Sequence, residues 1–101
     1  MGACTFYETV VAKTENEGFK ELVEMAEYQH GHDGYSGTIA EKSSYTIITL
    51  PEGKDAHDYA DELINSGDKR IDDKWGPAGC IIVEKLANGY NKYLFFGWVS
   101  E

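Results

Sequence analysis

The chain has little cysteine, few basic side chains and no long apolar run, and each shortage excludes a class of protein. Two cysteines, Cys4 and Cys80, in 101 residues are too few and too far apart for a disulfide framework, or for a zinc site built from thiolates alone. Both read as reduced thiols of a cytoplasmic protein. No apolar stretch approaches the ~20 residues that span a bilayer, so no membrane partner is expected. The opening residues also lack the basic-then-apolar layout of a secretory signal. "MGACTF" approaches a myristoylation pattern but puts Phe6 where serine or threonine is required. Nine basic residues against eighteen acidic ones leave a net charge of −9, a field that repels nucleic-acid polymers and anionic membrane surfaces. A small nucleotide in a local pocket is still compatible with that charge, because near donors outweigh distant, screened carboxylates.

What is present reads as one compact domain, residues 1–101. The apolar fraction of 42% and aromatic fraction of 13% are those of a chain with a core, outside the range of disordered or low-complexity sequences. "TFYETVVA" (Thr5 to Ala12) is β-branched and aromatic and suits a first strand. Thr14 and Glu17 form a capping box ahead of the stripe Phe19, Leu22, Val23 and Ala26, which predicts a helix from Glu15 to Gln29 ended by Gly31. "SYTIITL" (Ser44 to Leu50) is a second strand, closed by the turn-forming Pro51-Glu52-Gly53. Asp55 caps a second helix whose stripe is Ala56, Tyr59, Ala60, Leu63 and Ile64, with Gly67 as its stop. "CIIVEKLA", Asn88-Gly89 and "YNKYLFFGWVS" predict a β-hairpin with a type I′ turn. The order β-α-β-α-β-β predicts an α+β fold: a single mixed or antiparallel sheet, both helices on one face, and a C-terminal hairpin.

Function is sought in the segment "HGHDGYSGTIAEK", residues 30–42. Glycines 31, 34 and 37 permit positive φ, which turns successive backbone N–H groups toward one point and makes an anion nest. Ser36 and Thr38 add hydroxyls, Lys42 adds charge, Tyr35 supplies a stacking face, Asp33 suits a ribose hydroxyl and His32 adds a titratable donor. Trp75, in the irregular stretch Gly67 to Gly79, must plug a core edge or face a ligand. The expected ligand-binding set is therefore His32, Asp33, Gly34, Tyr35, Ser36, Gly37, Thr38, Lys42 and Trp75, with no catalytic residue, metal or cofactor. Against it, the loop follows a helix C-terminus, whose dipole disfavours anions, and glycines also serve in purely structural loops.

Competing signals are present too. His30, His32 and Asp33 resemble a metal-binding fragment, to which only His57 adds a further imidazole; they would suit a metal-assisted phosphodiesterase. His30 equally suits a helix C-terminus as a cation. Cys80 opens an apolar strand and reads as a core residue. The late aromatics Tyr90, Tyr93, Phe95, Phe96 and Trp98 alternate as core residues do, although such rings also stack on bases. Carboxylates at Glu17, Glu21, Glu24, Asp58, Asp61 and Glu62 would suit an acidic inhibitor that imitates a phosphate backbone.

The stretch "GHDGYSGTIAEK", with the opening "MGACTF" and the later "KWGPAG", resembles small uncharacterised proteins encoded by bacteria and their phages. That resemblance implies an anti-defence role in the host cytoplasm: sequestering a nucleotide immune signal, or blocking a nucleic-acid-binding defence protein. The expectation is a non-enzymatic binder of a small phosphate-bearing nucleotide, working as a homo-oligomer.

Overall fold

The structure, a computed structural model, describes residues 3–30 and 38–100, apart from the side chains of residues 30 and 100. It contains β1 (Ala3–Ala12), α1 (Glu15–His30), β2 (Tyr45–Ile48), α2 (Ala56–Ser66), β3 (Ala78–Lys85) and β4 (Asn91–Ser100). The four strands form one mixed sheet in the order β1-β4-β3-β2, in which β4 runs antiparallel to β1 and β3 while β2 runs parallel to β3. The α+β class, the element order and the terminal hairpin are those expected. No helix among the described residues is long and apolar enough to cross a membrane.

Local chemistry explains where the elements start and stop. The Thr14 hydroxyl accepts from the Glu17 amide at 3.1 Å and starts α1. Asp55 accepts from the Asp58 amide at 3.1 Å and starts α2, and Gly67, left-handed at φ 68° and ψ 42°, ends it. In the hairpin turn both central residues have positive φ, 64° at Asn88 and 79° at Gly89, the pair a type I′ turn requires. β2 is shorter than expected, four residues rather than seven. Among the described residues it pairs on one side only, with β3, and Ile47 stays 54% exposed.

One expectation is corrected. The helices lie on opposite faces of the sheet, not on one. Along β4, Tyr93, Phe95 and Val99 pack with Leu22 and Ala26 of α1, whereas the alternating Leu94 and Phe96 pack with Ala60, Leu63 and Ile64 of α2. The physical reason is the strand order. β1, β2 and β3 all point the same way, so both helices are crossovers between parallel strands. The first crossover runs from one edge of the sheet to the other, and the second steps back by one strand. Opposite directions with the same hand place the helices on opposite faces, and that hand is right-handed in nearly all proteins. Both faces of β3 and β4 are thereby buried, which explains their continuous apolar runs. Where β3 meets β4 the fit is tight: a Cβ on Gly79 would lie 2.6 Å from the Phe96 ring.

Candidate functional site

Thr38 opens a single 3-10 turn, Ile39–Glu41, and its hydroxyl accepts from the Ala40 amide at 3.3 Å. Ile39, 1% exposed, anchors this turn in the α1-side core beside Phe6 and Leu22. Lys42 follows, and its backbone amide donates to the Ile39 carbonyl at 2.9 Å. Its side chain turns inward and is 4% exposed, with Cε passing the spot a Cβ on Gly97 would occupy at 3.9 Å.

The Lys42 ammonium ends under the turn at residues 73–76. There it donates to three carbonyls: Gly76 at 2.9 Å, Lys74 at 3.2 Å and Asp73 at 3.4 Å. Burial pulls its pKa below the ordinary lysine value, and the charges of Asp73 and Glu41 oppose that shift. The turn is also held from within. The Gly76 amide donates to the Asp73 carbonyl at 2.9 Å, and the Trp75 amide donates to Asp73 Oδ1 at 2.9 Å. Trp75 is 62% exposed on top of this fastened turn. The Lys74 ammonium lies 5.3 Å from the centre of its ring.

Of the nine residues expected to bind ligand, Thr38, Lys42 and Trp75 fall within the described residues; His32, Asp33, Gly34, Tyr35, Ser36 and Gly37 lie outside them. The lysine ties the turn that begins at Thr38 to the turn that carries Trp75, so two segments more than thirty positions apart meet at one place. Its role differs from the one expected. Its ammonium is engaged with three backbone carbonyls instead of standing open to a phosphate. Trp75 faces solvent and does not plug the core edge. Asp73, Lys74 and Gly76 were missed, because carbonyl acceptors leave no mark in a sequence.

A second constellation was missed entirely. Tyr7, His57, Asp58 and Asp61 line an open cleft of about 280 Å³ between β1 and α2. The Tyr7 hydroxyl donates to Asp61 Oδ1 at 2.6 Å, and burial followed by the Asp61 contact pushes its pKa up to about 12. The Tyr7 and His57 rings are 6.4 Å apart and tilted by 39°. The Tyr7–Asp61 bond joins residues 54 positions apart, beyond the reach of any spacing rule.

The remaining candidates also find their places. Cys80 is fully buried and its thiol is pushed up to about 12, so it holds no thiolate for attack. Tyr93, Phe95 and Phe96 are core residues at 1% exposure or less. Among the described residues no three histidine, cysteine or carboxylate side chains gather as a metal would need; positions 32 and 33 lie outside those residues. The six carboxylates of the phosphate-mimic reading fall on helices that cover opposite faces of the sheet, so they form no single track. Glu62 is already paired with Lys54 at 2.9 Å. Compared with described protein families, with curated proteins and with solved structures, the chain matches none.

Proposed function

We propose that the protein is a non-enzymatic binder of a planar, phosphate-bearing ligand of the nucleotide class, held at the junction of the glycine-rich segment and the Trp75 turn. The observation that carries this reading is Lys42. Burying an ammonium costs several kcal/mol before its hydrogen bonds repay it, and here the charge serves to fix a turn whose outward product is an exposed tryptophan. A large ring held in water on a braced turn suits stacking against a heteroaromatic base. The Lys74 ammonium, over that ring at 5.3 Å from its centre, supplies a cation beside the platform for the ligand's phosphate, and Tyr35, Ser36 and Gly37 adjoin the lysine-anchored foot in the chain. Capture without turnover is the role proposed, as a sequestering protein would act, with homo-oligomer formation part of the same proposal.

The test is calorimetry and tryptophan quenching against a panel of mono-, di- and cyclic nucleotides. Trp75→Ala should weaken binding by about 1–3 kcal/mol, the usual loss of a stacking platform. Gly34→Val should abolish it by restricting the backbone angles of the nest. A wild type that binds no nucleotide, or a Trp75→Ala variant that binds equally well while folded, sinks the reading.

A further inference from the structure

We propose that the outer edge of β1, together with the cleft between β1 and α2, docks an extended, arginine-bearing segment of a partner protein. This surface is separate from the Trp75 junction and does not depend on it.

The edge is the first observation. β1 is the terminal strand of the sheet, and its register with β4 runs unbroken from Ala3↔Ser100 to Ala12↔Asn91. Proteins usually blunt an exposed edge with proline, a bulge, lysines or sheer shortness. At the opposite edge β2 is only four residues long. β1 has ten residues, none of them proline or lysine; its one charge, Glu8, lies on the α1 side beside Leu22 and Met25, away from the cleft, and among the described residues no strand lies outside it. Such an edge offers the main-chain hydrogen bonds by which an extended peptide adds itself to a sheet.

The face beside that edge is the second observation. α2 packs on β3 and β4, through Ala60, Leu63 and Ile64 against Ile81, Leu94 and Phe96. The residues of β1 on the α2 side include Tyr7, Thr9 and Val11, of which Thr9 is exposed and Val11 is 49% exposed. Tyr7 floors the cleft, and His57, Asp58 and Asp61 wall it from the helix.

Charge and shape select the occupant. Two carboxylates and two rings converge on the cleft in a chain of net charge −9. A guanidinium is flat enough to lie on a ring while its fork meets a carboxylate, and arginine does both better than lysine. The Tyr7 hydroxyl on Asp61 Oδ1 orients that carboxylate for such a fork. The position along the edge is also set. Val11 lies opposite Lys92 in the ladder, and Lys92 in turn lies opposite Glu84, so that end of the face offers apolar surface and a lysine already matched by a carboxylate, and a second cation is better placed at the two carboxylates beside Tyr7. An added strand therefore places arginine beside Tyr7 and an apolar residue four positions away beside Val11, because same-face neighbours recur every second residue.

The probe is a capped nine-residue peptide with a central arginine, valine at both ends and threonine elsewhere, so that either strand direction satisfies the spacing. Its titration into the isotopically labelled whole protein should shift amides of residues 3–12 and 56–61 saturably. Glutamine in place of the arginine should weaken binding about tenfold or more, the scale of one charge-assisted pair. Asp58→Asn combined with Asp61→Asn should do the same, and Asp58→Asn alone, on an exposed position, provides the readout if the pair fails to fold. Glu21→Gln with Glu24→Gln on α1, and Trp75→Ala, should leave peptide binding unchanged. Equal affinity for the glutamine peptide, shifts centred on α1, or a dimer of this chain in sedimentation that occupies the β1 edge would each overturn the proposal.

Discussion

Replacing Lys42 with methionine keeps most of the buried stem and removes only the ammonium, so it isolates the clamp. At 2.9 Å the bond to Gly76 is a full charge-assisted hydrogen bond, the 3.2 Å bond to Lys74 is weaker, and the 3.4 Å contact with Asp73 is marginal. With about 1.5–3 kcal/mol for a good bond to a charged group, the gross contribution is about 4 kcal/mol. Desolvation offsets part of it, as the lowered pKa of this lysine records, and a hydrophobic replacement of a buried charge recovers some stability. The net loss is then about 2 kcal/mol. For a domain of this length that corresponds to a fall in Tm of about 8–16 °C. Urea unfolding gives the global loss, while acrylamide quenching of Trp75 reports the turn itself. Both should change, with quenching rising as the turn loosens. A variant as stable as the wild type, with Trp75 quenched no faster, would show that the ammonium does not hold the turn, and the site argument would fail with it.

Much of the fold was legible because it is encoded by neighbours in sequence. Thr14, Asp55 and Gly67 bound the helices through bonds that reach three or four residues, and Asn88-Gly89 encodes its own turn through positive φ. Strand order is not local. The edge-to-edge path from β1 to β2 follows from burying both faces of β3 and β4, and the opposite placement of the helices follows from that path. The candidate site divides the same way. Trp75 stood out because a large ring in an irregular, glycine-flanked stretch needs an explanation. Lys42 was legible as a charge but not as a buried one: Glu41, Ser43 and Ser44 around it look solvated, and the carbonyls that receive it lie at positions 73–76. The Tyr7 cleft joins a strand residue to a helix on the far side of a crossover, and only the assembled sheet brings them together.

Two further perturbations test the packing that supports both surfaces. Gly79→Ala pushes a methyl to 2.6–2.7 Å from the Phe96 ring and should cost about 1–3 kcal/mol of overpacking strain in urea unfolding; an unchanged midpoint would mean that β3 and β4 are not packed this closely. The second concerns alkaline stability. Cys80 is fully buried in the α1-side core, and its thiol rises from an ordinary 9.0 to about 12 through burial, with the Glu15 charge adding to it. Below pH 9 both folded and unfolded chains keep the proton, so the thiol has no effect on pH dependence. Between pH 9 and about 12 the unfolded chain releases the proton and the folded chain retains it, so stability falls as pH rises, by at most ~1.4 kcal/mol per pH unit. By pH 10 this amounts to about 1.4 kcal/mol. Tyr7, raised from 10.0 to about 12, and Tyr45, raised by burial, act with the same sign, mainly above pH 10, while Lys42, lowered by burial, acts with the opposite sign because the folded chain gives up that proton first; the cysteine's share is therefore the difference in slope between wild type and Cys80→Ala from pH 9 to 10. Cys80→Ala should lower stability at neutral pH through lost packing and flatten the slope in that interval when unfolding is followed under reducing conditions. If wild type and variant lose stability in parallel from pH 9 to 10, the thiol titrates as freely in the folded chain as in the unfolded one, and the sealed core around Cys80 is wrong.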